Sequence, residues 1–253
     1  MGNKNIVCVI PARLKSTRFP RKMLSMLRGK PLLQWVWERA LQVSLFDTVV
    51  IAVDAEETRS LVTSFGGKCV MTSESCLSGT ERLVELLKKK VVDADIWVNW
   101  QGDEPFIEKK MIQTLLQSCN KEESDLWTLK KKITKEEEVG NPHIAKVVCD
   151  SHGFALYFSR SPIPFYRDGA PYSQQEVYKH VGLYAYTRAA LIKISSLPPC
   201  SLELAEQLEQ LRFLYNGLKI RVHETDFEVF GIDLPEHLIK AEAYVAQNPL
   251  KRV

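Results

Sequence analysis

Residues 5–22 read NIVCVIPARLKSTRFPRK. The run Asn5 to Ile10 is apolar without alternation and rich in β-branched residues, the pattern of a strand covered on both faces, as parallel strands are. Three similar runs follow: TVVIAV (48–53), KCVM (68–71) and DIWVNW (95–100). The segments between them, 32–43, 55–65 and 81–90, carry helical patterns, with Leu83, Leu86 and Leu87 at three-to-four spacing in the last. Parallel neighbours need a long connection, which a right-handed helical crossover supplies. The first hundred residues therefore predict an α/β fold with a Rossmann-like, mixed but mainly parallel sheet.

Beyond a helix near 109–119 the rhythm changes. Segments 124–133, 144–150, 154–160 and 179–187 read as strands without intervening helices, which predicts antiparallel pairing, and 159–175 is a proline-rich excursion. A helix over 202–215, a strand over 218–224 and a helix over 235–247 close the chain. The expectation is one domain, 1–253, with a smaller lobe inserted at about 125–190. With 34 basic and 31 acidic residues the net charge is only +3, which argues against nucleic acid as a partner. The N-terminal apolar run is too short for a signal segment or membrane insertion, so a cytoplasmic protein is expected. Six cysteines without a C-x-x-C pair read as reduced thiols.

Open α/β sheets bind ligands beyond the carboxyl ends of their strands. That rule selects the 11–22 loop, Asp54, the segment 71–82 and QGDEP at 101–105. In the first loop five cations, Arg13, Lys15, Arg18, Arg21 and Lys22, fall within ten residues. Like charges so close repel unless an anion compensates them, and a polyphosphate supported by backbone N–H groups is the natural one. Neither G-x-x-x-x-G-K-[ST] nor G-x-G-x-x-G occurs, so a Walker loop and an NAD-dependent dehydrogenase are both disfavoured.

Seven segments in order, IPARLKSTRFPRKML (10–24), LSGTERL (77–83), VNWQGDEP (98–105), ALYFSRSPIP (155–164), KHVGLYAY (179–186), LEQLR (208–212) and GIDLPEHL (231–238), resemble the sugar cytidylyltransferases, within them the family acting on 3-deoxy-manno-octulosonate (Kdo). The resemblance spans nearly the whole chain. It implies a nucleotide-diphospho-sugar-transferase type fold, and a reaction of CTP with Kdo giving CMP-Kdo and pyrophosphate for lipopolysaccharide synthesis. It also implies Mg²⁺ as cofactor and a homodimer formed through the smaller lobe. By the same resemblance Arg13 and Lys22 bind the triphosphate, with Ser16, Thr17 and Arg18 lining the loop. Ser78, Gly79, Arg82 and Gln101 contact the nucleotide, Asp103 and Asp233 hold the metal, and Arg160, His180, Tyr184, Glu209 and Gln210 bind the sugar acid. Arg13, Lys22 and Asp103 are the residues assigned to catalysis. Members of the family often carry His and a polar residue where this chain has Cys76 and Leu77.

Several of these residues have plainer explanations. Asp103 suits a turn, and both SGTE (78–81) and DLPE (233–236) fit helix capping boxes. In KHVGLYAY, alternation sends Val181, Leu183 and Ala185 to the core and His180, Gly182, Tyr184 and Tyr186 to a polar, aromatic face suited to a polyhydroxylated ligand. Arg160 can grip a carboxylate with its fork. On the 202–215 helix Leu204, Leu208 and Leu211 form the apolar stripe, leaving Glu209 and Gln210 on the other face. The rivals are a CMP-sialate synthetase, which shares the triphosphate and metal parts, and a non-catalytic nucleotide binder on the same fold.

Overall fold

Strand β1 (Ile6–Ala12) is buried along its entire length, and the first half of the chain is arranged around it. The computed structural model describes residues 4–16, 18–120, 124–169, 174–229 and 231–247. The chain divides into two units, Met1–Ile112 with Val229–Val253, and Gln113–Glu228. After β1 come a short hairpin of β2 (Met26–Leu27) and β3 (Lys30–Pro31), α1 (Leu32–Leu41), β4 (Thr48–Val53), α2 (Glu56–Ser64), β5 (Cys69–Met71), α3 (Gly79–Lys88), β6 (Ile96–Asn99) and α4 (Lys109–Leu116).

In the first unit β1 pairs in parallel with β4 on one side and β6 on the other, and β5 extends β4 in parallel. Chain order thus runs outward from β1 through β4 to β5 and then returns to the opposite side of β1 with β6. This reversal leaves a crevice at the carboxyl ends of β1 and β6, where loops diverge instead of packing against each other. The apolar residues of these strands, Val7, Val9, Ile51, Val53, Ile96 and Val98 among them, form the core beneath α1 and α3.

The second unit contains β7 (Leu126–Lys132), α5 (Glu136–Val139), β8 (Lys146–Cys149), β9 (Ala155–Ser159), β10 (Tyr178–Thr187), α6 (Arg188–Ile194), α7 (Ser201–Glu206), α8 (Gln210–Tyr215) and β11 (Ile220–Glu224). As expected, β10 lies antiparallel to β7 and β8, and β8 antiparallel to β9. β11 joins β7 in parallel. The helix expected over 202–215 is two helices, broken at Gln207, whose backbone is left-handed at φ 52°. The cause lies in a distant segment: Arg160 takes the Glu206 carbonyl at 2.6 Å and the Gln207 carbonyl at 3.3 Å, acceptors that a continuing helix would need. Leu204 is consequently exposed, whereas Leu208 and Leu211 are buried, so the predicted apolar stripe loses its first member.

The chain closes in the first unit with α9 (Pro235–Gln247), which opens on a proline at its first helical position, where no N–H is needed. Its Ala241 and Val245 pack with Leu27, Leu32, Phe106 and Ile232, and the Phe106 and Tyr244 rings meet edge-on at 4.8 Å. Among the described residues no helix is long and apolar enough to cross a membrane.

Gly102, just beyond β6, has to be a glycine for steric reasons. A Cβ there would lie 2.9 Å from the Pro11 carbonyl oxygen and 3.0 Å from Met23 Sδ. Gly102→Ala is expected to destabilise the fold by about 1–3 kcal/mol through overpacking, measured as a lowered urea midpoint.

Candidate active site

The turn after β1 sets out its cations, and the protein itself neutralises most of them. Lys22 sits in a single 3₁₀ turn, Lys22–Leu24, entered through the left-handed Arg21. Although a lysine, it is only 6% exposed. Its ammonium donates to Asp103 Oδ2 at 2.5 Å and to Asp233 Oδ1 at 3.1 Å. Arg18 donates to the same Asp233 oxygen at 3.1 Å, Lys15 pairs with Glu74 at 2.6 Å, and Arg21 pairs with Glu57. Of the five cations only Arg13 has no ion pair among the described residues. The expectation that a bound anion alone compensates this cluster is therefore corrected: carboxylates from four other segments hold four of the charges. Thr17 lies outside the described residues.

Three backbone contacts explain how Asp103 and Asp233 meet. Gly102 N donates to the Pro11 carbonyl at 3.3 Å, and Glu104 N closes a turn on Gln101 O at 3.1 Å, which Trp100 Nε1 ties to the Glu104 carbonyl at 3.0 Å. Ile232 N then donates to the Asp103 carbonyl at 3.0 Å, so the segment before α9 runs beside the turn. The helix starts at Pro235, which makes Leu234 and not Asp233 the residue at the cap, and the Asp233 carboxylate serves Lys22 and Arg18. Glu104 is the buried neighbour of this pair. Burial first, then the adjacent Asp103 and Asp233 charges, push its carboxyl up to about 8.

The opposite wall is braced by an ion pair between two residues that the sequence singles out separately, Asp54 and Arg82. Arg82, 2% exposed, donates to Asp54 Oδ2 at 2.7 Å, to Thr72 Oγ1 at 2.6 Å and to the Ser73 carbonyl at 3.2 Å. Asp54 Oδ1 accepts from Leu14 N at 2.8 Å, which links the basic turn to this wall. Arg82 thus already has partners on both terminal nitrogens and braces this wall of the cleft that it lines. The capping at α3 is real: Ser78 Oγ accepts from Glu81 N at 3.2 Å, and Glu81 Oε2 reaches back to Leu77 N at 2.6 Å. A Cβ on Gly79 would lie 2.9 Å from Gln101 Nε2 and 3.0 Å from Asn99 Nδ2, so this glycine makes room for two amides, themselves joined at 3.1 Å. Cys76 donates to Glu85 at 3.0 Å, and burial together with that carboxylate pushes the thiol up to about 11, far from thiolate chemistry.

These residues surround one cleft of about 320 Å³. Arg13, Ser16, Arg18 and Lys22 line it from the turn, Ser78, Gly79 and Arg82 from the start of α3, Gln101 and Asp103 from the loop after β6, and Asp233 from the C-terminal segment. Cys76 and the 79%-exposed Leu77 line it too. Every described nucleotide and metal candidate falls on this cleft. No group of three or more His, Cys, Asp or Glu side chains able to hold a metal occurs among the described residues, so any ion here relies on two carboxylates and on oxygens of a ligand.

The sugar-acid candidates lie in the second unit. His180 Nε2 is 2.9 Å from Thr128 Oγ1, whose proton goes to the Val181 or Leu183 carbonyl, which makes the imidazole the donor and sets its Nε2–H tautomer. Phe158 and Tyr184 flank the ring at 5.0 and 5.3 Å, and burial pushes its pKa down to about 3. The Tyr184 hydroxyl is buried without a well-formed hydrogen bond, as is Gln210 Nε2. Tyr186, assigned to the polar face, is itself core at 1% exposure, stacked on Tyr184 and met edge-on by the Phe213 ring. Arg160 donates to three backbone carbonyls, of Pro142, Glu206 and Gln207, and Glu209 accepts from Arg212 at 3.2 Å.

Residues 7–220 match the family model described as cytidylyltransferase. A 3-deoxy-manno-octulosonate cytidylyltransferase of Thermodesulfovibrio yellowstonii is 46% identical, covering 93% of this chain and 96% of that protein. One of Porphyromonas gingivalis is 44% identical, covering 98% and 100%. A solved structure of CMP:2-keto-3-deoxy-manno-octonic acid synthetase complexed with CTP superposes with a TM-score of 0.91 at 43% identity, covering 96% of this chain and 99% of that one. The 4-diphosphocytidyl-2C-methyl-D-erythritol synthase of Anaerococcus prevotii, at 14% identity and a TM-score of 0.64, shares the fold.

Asp54→Ala strands a buried guanidinium and is expected to destabilise the protein by about 3–5 kcal/mol. The double change Asp54→Ala/Arg82→Met should recover part of that loss in urea unfolding. His180 yields a pH dependence. Its folded pKa near 3 lies below the ordinary 6.5, so between these values the unfolded chain binds the extra proton and stability falls as pH drops below 6.5. At pH 5 the loss relative to pH 8 should be about 2 kcal/mol, absent in His180→Gln.

Proposed function

The chain belongs to the cytidylyltransferase family, among its 3-deoxy-manno-octulosonate members, and from that premise we propose that the cleft of the first unit binds CTP and that residues of the second unit bind Kdo. The reaction is CTP plus Kdo to CMP-Kdo plus pyrophosphate. The observation that carries the nucleotide assignment is the convergence of Arg13, Lys22, Asp103 and Asp233 on one cleft at the switch point beside β1.

The 2-hydroxyl of Kdo attacks the α-phosphorus of CTP in line and releases its proton to solvent, a new O–P bond forms, the α–β bridge breaks, and pyrophosphate departs. Such transfers leave the protein the tasks of alignment and charge neutralisation. Arg13 and Lys22 receive the charge that accumulates on the leaving pyrophosphate. Gln101, held by Asn99 over Gly79, and the α3 N-terminus contact the nucleoside end. Asp103 and Asp233 fit Mg²⁺, since they already share one cation, the Lys22 ammonium, and magnesium accepts one or two carboxylates with phosphate oxygens and water. When bound, it supplies Lewis acidity at the phosphate and the attacking hydroxyl.

For Kdo, the buried Tyr184 Oη, which lacks a well-formed hydrogen bond, and the unpartnered Gln210 Nε2 favour a ligand rich in hydroxyls, and the neutral His180 is held as a donor toward Thr128. Arg160 retains free N–H groups for a carboxylate beyond its three carbonyl contacts. Exposed Leu156 and Phe165 in the second unit support a homodimer, and six free thiols suit a cytoplasmic setting.

Asp103→Asn should reduce turnover with CTP, Kdo and Mg²⁺ by at least about a hundredfold while the circular dichroism spectrum is unchanged. A variant with normal rate excludes Asp103 from the reaction. Pyrophosphate release across a panel of sugar acids should favour Kdo over sialic acid, and the reverse preference would move the chain to the rival specificity.

A further inference from the structure

We infer that Lys22 is the resident counter-ion of Asp103 and Asp233 in the nucleotide-free protein, so that a divalent cation reaches these carboxylates only once a triphosphate has drawn the ammonium away; this rests on the assignment of the two aspartates as metal ligands. The ammonium contacts both carboxylates, at 2.5 and 3.1 Å, and its residue is 6% exposed. It therefore stands between the oxygens at hydrogen-bonding distance from each, in a partly desolvated spot where charges are weakly screened. A divalent ion arriving there alone meets a fixed positive charge, reinforced by Arg18 on the same Asp233 oxygen.

A triphosphate changes the balance, because it brings several negative charges into the cleft that Arg13, Arg18 and Lys22 line together. The ammonium then has phosphate oxygens to turn to, and the aspartates lose their cation as the nucleotide brings further ligands for another. Nucleotide and metal thus bind with positive coupling, and by linkage each strengthens the other. Two acids side by side would otherwise repel one another in the idle protein, and Lys22 relieves that repulsion without admitting an ion. Binding order, nucleotide before metal, is built into the turn after β1.

The test is a Mn²⁺ titration of the full chain followed by electron spin resonance, on nucleotide-free wild type, Lys22→Met, Lys22→Met/Asp103→Asn, and wild type with CTP. Expected are Mn²⁺ binding to nucleotide-free Lys22→Met at least tenfold tighter than to nucleotide-free wild type, and loss of that gain in the double variant. A Lys22→Met affinity equal to wild type overturns the inference, as does a gain that survives in the double variant, which would mean a general charge effect. Wild type with CTP that holds Mn²⁺ no more tightly than CTP alone overturns the metal assignment itself; tighter binding there with an unchanged Lys22→Met overturns only the counter-ion role. If Lys22→Met unfolds, judged by its near-ultraviolet circular dichroism, Lys22→Gln is held to the same criteria.

Discussion

One ammonium group joins three parts of the chain that lie far apart in sequence. Lys22 is separated from Asp103 by 81 residues and from Asp233 by 211, yet it touches both. A lysine that leaves water needs paired charge, since an isolated buried ammonium is strongly disfavoured. Placing Lys22 on the 3₁₀ turn after β1 therefore obliges the loop after β6 and the segment before α9 to present their acids to it. The backbone contacts of Gly102 with Pro11 and of Ile232 with Asp103 hold those loops in reach. The cleft follows from this constraint, and α9 is anchored by the apolar cluster around Phe106 and Ile232 on the same side of the constraint.

A second buried pair stiffens the other wall. Asp54 at the end of β4 holds Leu14 N with one oxygen and Arg82 with the other, and Arg82 in turn gathers Thr72 and Ser73. The basic turn is thus clamped from two directions, through Lys22 and through Leu14. With Lys15, Arg18, Arg21 and Lys22 already matched by acids, the turn keeps its shape without a ligand, and Arg13 remains as the cation with no internal ion pair among the described residues. An electrostatic site assembled in advance stabilises developing charge without reorganising at the moment of reaction.

The first half of the fold was legible because its strands are covered on both faces, which writes continuous apolar runs such as IVCVI and TVVIAV into the sequence. Their carboxyl ends then located the loops, and the described nucleotide candidates do share one cleft. What could not be read was pairing. Nothing in residues 202–215 announces that Arg160 will take two of their carbonyls and break the helix, because the cause is a contact 46 residues away. Asp54 stands out for its place after β4 but offers no local chemistry; its partner lies 28 residues on. The cation run stands out as unusual, but its compensation is not legible locally, since the acids that answer it come from four other segments.

The candidate sites of the two units handle polar groups differently, and chemistry gives the reason. In the first, charges are matched internally, which suits a ligand that carries its own charge and can exchange partners with the protein. In the second, beside matched pairs such as Lys179 with Glu138, the groups at the sugar-acid candidates of β10 are neutral: His180 is held unprotonated by burial, while Tyr184 Oη and Gln210 Nε2 are buried without well-formed hydrogen bonds. Unmet buried polar groups each reduce stability by roughly 1–3 kcal/mol. They conflict with the rule that interiors satisfy their hydrogen bonds, and such conflicts concentrate where a ligand completes the set. A neutral, hydrogen-bonding surface selects hydroxyl groups by geometry, because an analogue lacking one hydroxyl leaves a protein group unpaired, and that discriminates far more strongly than a missing methylene would.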